Sequence, residues 1–155
     1  MPGISLSTIE VVKHFLLDDG TQLTVVAEQF DGAKARSFDA MMNAPMSIPT
    51  AGEIELKPKS FHFRAGVAAA LGLKDCSLLD DTGMKLLRPS PNAIMAFLDI
   101  WFHPALNDVV LTDKETGAEY SYCDLVADAV YEANPQADPF LSREKPPTSG
   151  EDDGS

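Results

Sequence analysis

Cysteine is scarce: the 155 residues hold two, Cys76 and Cys123, with no Cys-x-x-Cys spacing and no histidine pair nearby. That excludes the usual structural zinc arrangements and predicts two buried, free thiols in a reducing compartment. Long apolar runs are missing too. The best stretch, Ala93–Phe102, is broken by Asp99, whereas a bilayer-spanning helix needs about 20 apolar residues. The opening Met-Pro-Gly-Ile-Ser-Leu-Ser has neither the charged nor the apolar region of a signal peptide, so a cytoplasmic protein with no membrane association is expected. Cations are few, 12 Lys+Arg against 24 Asp+Glu, for a net charge of −12 and a pI near 4.4. Repulsion at that charge opposes coating of duplex DNA or of an anionic membrane. No Walker loop, Gly-x-Gly-x-x-Gly, His-Glu-x-x-His, EF-hand loop or Gly-x-Ser-x-Gly elbow occurs. No metal or cofactor is therefore expected, and a non-enzymatic binding protein is the leading reading.

The acids that are present are segregated. Residues 1–92 carry eleven Asp/Glu against nine Lys/Arg, whereas residues 93–155 carry thirteen against three. A near-neutral body joined to an acidic end suggests a basic partner, or a tail that competes for a basic groove. The length and a hydrophobic content of 45% suit one globular domain. Residues 1–134 form that domain. Residues 135–155, with Pro135, Pro139, Pro146, Pro147 and a closing Ser-Gly-Glu-Asp-Asp-Gly-Ser, read as a disordered acidic tail.

Three hairpins are expected. Ile9–Leu17 and Thr21–Phe30 flank Asp18-Asp19-Gly20, residues 77–79 and 84–87 flank Asp80-Asp81-Thr82-Gly83, and residues 109–111 and 118–122 flank 112–117. Leu-Leu-Asp-Asp occurs at both 16–19 and 78–81, which shared turn chemistry explains. Ser7-x-x-Glu10 is a capping-box pattern, so residues 8–17 compete between strand and helix, with strand favoured. Four helices are expected. One runs from Ser37 to Asn43, and a short one over Ala65–Leu71 is closed by Gly72. A third begins at Ser90-Pro91 and runs to Phe102 or His103 as the buried central helix. The fourth, amphipathic, is capped by Ser121 and Asp124 and ends at Asn134-Pro135. The class is α+β, an antiparallel sheet with helices on one face.

Four features could carry function. Lys57, Lys59, Phe61, His62, Phe63 and Arg64 form the one locally basic stretch. Read as a strand, it puts Phe61 and Phe63 on one face and His62 and Arg64 on the other, a mixture suited to single-stranded nucleic acid. Asp124, Asp128 and Glu132 recur every four residues on the last helix and, with Phe140-Leu141 as an apolar anchor, offer a surface for a basic protein. Asp81-Thr82-Gly83 matches the loop of an aspartic-type hydrolase, whose second carboxylate a homodimer could supply, although Asp80 stands where an apolar residue is expected, no later apolar-apolar-Gly segment follows, and ordinary turn chemistry explains the motif. Asp99 and His103 share a helix face, where the helix dipole alone accounts for the histidine. Homo-oligomerisation is expected as the means of multiplying one modest patch.

Overall fold

The computed structural model describes residues 9–43 and 61–139. Strands β1 (Glu10–Leu16) and β2 (Gln22–Glu28) form the first hairpin, and β3 (Leu73–Cys76) pairs with β2 to complete an antiparallel sheet of order β1-β2-β3. A second sheet joins β4 (Val109–Thr112) to β5 (Glu119–Ser121). Helices α1 (Gly32–Asn43), α2 (Phe61–Gly72), α3 (Ile94–Trp101) and α4 (Tyr122–Ala133) complete an α+β fold. No helix among the described residues is long and apolar enough to cross a membrane.

Residues 10–16 are strand, because alternation beats the capping box. Val11 and Phe15 pack inward opposite Ala27 and Leu23, beside Val25, while Glu10, Val12, His14 and Leu16 face out. Gly20 takes a φ of 92° at the turn, and Asp19 Oδ1 accepts from Thr21 N (2.9 Å) and Oγ1 (2.7 Å).

The second expected hairpin shrinks to one bridge, Leu79 with Lys85. Asp80 Oδ1 takes Thr82 N, Thr82 Oγ1 and Met84 N, which rounds the chain into a loop rather than a ladder. The strand lies just upstream as β3. The hairpin at residues 109–121 forms as expected.

Helix α1 begins five residues before Ser37, with Asp31 Oδ1 accepting from Lys34 N (2.8 Å) at its first turn. Helix α3 begins at Ile94, not at Ser90-Pro91, because Ser90 is drawn away: its N–H donates to Ala70 O (3.0 Å). Nor is α3 the central helix, since it buries only Phe97, Leu98 and Trp101 and leaves Met95 66% exposed. That place belongs to α2, buried at every position from Ala65 to Gly72. Its alanines and glycines let neighbours approach from all sides; a Cβ on Gly66 would stand 2.6 Å from Leu98 Cδ2 and 2.7 Å from Trp101 Cδ1. The capping box of α4 is formed, Ser121 with Asp124. Past Asn134 the chain makes a 3₁₀ turn, Pro135–Ala137, with Ala137 fully buried, so the packed fold reaches beyond the boundary expected at residue 134.

Candidate interaction surface

The basic–aromatic stretch is not a strand in its described part. The Ala-rich run after Arg64 is strong helix former, and the helix extends back to Phe61. At about 100° per residue, Phe61 and Phe63 then diverge instead of sharing a face. Phe61 is 59% exposed, while Phe63 packs against the core. Arg64 is turned inward: its guanidinium lies 5.1 Å from the Phe38 ring centroid, and Nε donates to Ala137 O (2.8 Å). Arg64 closes one wall of a cleft of about 190 Å³ that Phe30, Phe38, Asp39 and Gln136 also line. Lys57 and Lys59 lie outside the described residues, so the expected surface is brought together only in part.

His62 sits in an aromatic cluster. Its ring stacks on Trp101 (5.6 Å between centroids) and meets Phe102 edge-on (4.9 Å), and Trp101 Nε1 donates to the His62 carbonyl (3.0 Å). Nε2 is buried with no hydrogen-bond partner. Burial lowers the His62 pKa below the ordinary histidine value, against a smaller opposing pull from Asp124. Since the unfolded chain takes up this proton first, stability is full above the ordinary histidine range and declines as pH falls through about 6.5. Urea melts between about pH 8 and pH 5.5 are expected to show that decline, and His62→Gln is expected to flatten it. An unchanged slope in the variant would assign the effect elsewhere. Asp128, whose carboxyl burial raises above the ordinary aspartate value, acts with the opposite sign.

The acidic stripe of α4 is mostly consumed by the fold. Lys13, on the inward face of β1, bridges Asp128 (3.1 Å) and Glu132 (2.7 Å), and Asp124 closes the capping box through Ser121 N (2.9 Å). Sequence periodicity placed all three on a polar face; it could not reveal that a lysine more than a hundred residues away would occupy that face. Phe140 and Leu141 lie outside the described residues.

The other candidates serve the fold. Asp81 is exposed at the tip of the loop that Asp80 organises. His103 lies past the end of α3, and its Nδ1 accepts from Ala105 N (3.1 Å) to cap the Pro104–Asn107 turn. Cys76 and Cys123 are free and buried, and burial pushes the Cys123 thiol up to about 12, which removes the thiolate a nucleophile needs.

One surface was not foreseen, the outer edge of β1. Leu17 N donates to Thr21 O (2.8 Å) and Gln29 N to Ile9 O (2.9 Å). With the register Glu10↔Glu28, these bonds make the odd residues of β1 the hydrogen-bonded partners of β2. The N–H and C=O groups of Glu10, Val12, His14 and Leu16 therefore point away from the sheet. Their side chains share the solvent face, where Val12 is 52% and Leu16 68% exposed. Beyond them Asp18 N donates to Val110 O (2.9 Å), so β4 closes the edge at that point. A signal for this was available in the sequence: outward positions of a half-buried strand are normally polar, and Val12 and Leu16 are not.

The remaining described edges are blunted. Strand β3 has four residues, carries exposed Lys74 and Asp75, and pairs with β2 through an irregular register. Strands β4 and β5 have four and three residues, also in broken register. By contrast β1 has seven residues in unbroken register and no proline. An inward-pointing lysine commonly guards an edge against pairing, but Lys13 is neutralised by Asp128 and Glu132. Comparison of the chain with protein-family models, with curated proteins and with solved structures returns no match.

Proposed function

We propose that this protein is a non-enzymatic interaction module that takes an extended segment along the β1 edge by strand addition. The observation that carries the reading is the run of outward backbone groups at Glu10, Val12, His14 and Leu16, bordered by exposed Val12 and Leu16. Backbone pairing supplies affinity in such sites, and alternate side chains supply selectivity. Catalysis is disfavoured because Asp81 lies at an exposed turn tip, while His103 and Cys123 are committed to a cap and to the core. Selection of displayed peptides against the folded chain tests the proposal. Alternating apolar sequences are expected to be enriched, and to lose binding to Val12→Lys. Selected peptides that bind that variant as well as the parent would end it.

Single-stranded nucleic acid is the second reading, favoured by Phe61, 59% exposed in the first turn of α2, four and two residues after Lys57 and Lys59. It predicts binding that weakens steeply with salt and is lost in Phe61→Ala. Anisotropy with labelled oligonucleotides at low salt decides it; a flat titration removes it.

A further inference from the structure

We infer that the segment taken by the β1 edge is the β1 edge of a second copy of this chain. The inference rests on the strand-addition reading and names its partner. An antiparallel edge complements itself about a two-fold axis, because each outward residue offers one donor and one acceptor. The strand itself also carries few charges for a −12 protein. Its charged residues are Glu10, already paired with Lys74, and Lys13, already paired with Asp128 and Glu132.

The open stretch limits the register. Since β4 occupies the edge at Asp18, the largest overlap that uses Glu10 through Leu16 on both copies is centred on Lys13. Val12 then faces His14 of the second copy, and Glu10 faces its Leu16. On the solvent face the diagonal neighbours of Val12 are Val12 and Leu16 of the second copy, so side chains now half or more exposed become an apolar strip. On the inner face Val11 faces Phe15 of the second copy and extends the core across the junction. The two Lys13 ammonium groups meet there, each held by its own Asp128 and Glu132. The two three-stranded sheets become one continuous sheet.

Sedimentation equilibrium of the full chain, from micromolar to millimolar concentration, tests the inference. A weak, concentration-dependent dimer is expected. Val12→Lys places its charge twice across the axis, so a tenfold effect per site becomes a loss of about a hundredfold. Val12→Pro deletes an N–H that points outward and leaves the β1–β2 ladder complete. It is expected to keep the fold by circular dichroism and lose the dimer. Met95→Lys, on the exposed face of α3, is expected to change neither.

A chain that stays monomeric at every concentration, or a dimer that Val12→Lys leaves intact, overturns the inference. If the chain is monomeric while displayed peptides still bind β1 and lose Val12→Lys, self-pairing falls and strand addition stands. If the peptides fail as well, both fall.

Discussion

Asn134→Ala is expected to destabilise the protein by about 2–6 kcal/mol, one of the two largest single-residue effects in the described fold. Asn134 is fully buried, and its side chain ties the end of β2 to α4 through three hydrogen bonds. Oδ1 accepts from Phe30 N (2.7 Å), just past β2, while Nδ2 donates to Glu28 O (3.0 Å) at the end of β2 and to Val130 O (3.2 Å) in α4. Truncation orphans the Phe30 donor and the Glu28 acceptor, each costing about 1–3 kcal/mol when buried without a partner. Against a total of about 5–15 kcal/mol for a domain, that is a large fraction. Asn134→Asp should be worse, because it sets a carboxylate against two carbonyl oxygens where a donor stood. Urea denaturation measures both; a loss below about 1 kcal/mol for the alanine variant would mean that water replaces the amide.

Trp101→Ala is the second, expected to cost about 3–5 kcal/mol. The indole is fully buried and stacks on Phe97 (5.9 Å between centroids) and His62, and it lies against Gly66. Because α2 has no large side chain between Ala65 and Ala70 to refill the space, the cavity cannot collapse cheaply. Trp101→Phe keeps most of the volume but removes the Nε1 donor to the His62 carbonyl, and should cost about 1–3 kcal/mol. The pH dependence assigned to His62 is expected to persist in this variant, since its main cause, burial, persists. Trp101 is the chain's single tryptophan, so circular dichroism is the readout for these variants. Asn134 packs against Gly72 at the C-terminal end of α2, and Trp101 against Gly66 in its middle. Their effects should add in a double variant.

Short-range chemistry made much of this fold legible. The first and last hairpins, the capping box at Ser121 and Asp124, the end of α4 at Asn134 and the burial of both cysteines follow from neighbours within a few residues. Such features depend on turn geometry, capping and periodicity, which the local sequence contains in full. Asn134 itself was legible only as a helix stop. Its role as the link between α4 and β2 depends on residues more than a hundred positions away.

Tertiary structure decided what those local elements were for. Apolar coverage alone nominated the segment after Ser90 as the central helix, but packing gave that place to α2, because small side chains win where several elements converge. Arg64 was drawn inward by Phe38 and Ala137, Phe63 packed against the core, and the stripe on α4 was answered by Lys13. Whether a charge or ring remains available for a partner depends on which distant group reaches it first, and no local pattern encodes that competition. The composition, the turns and the alternation of β1 belong to the sequence alone. Among the described residues, the openness of the β1 edge belongs to the assembled sheet, since β2 covers one side of the strand and β4 reaches the other only at Asp18.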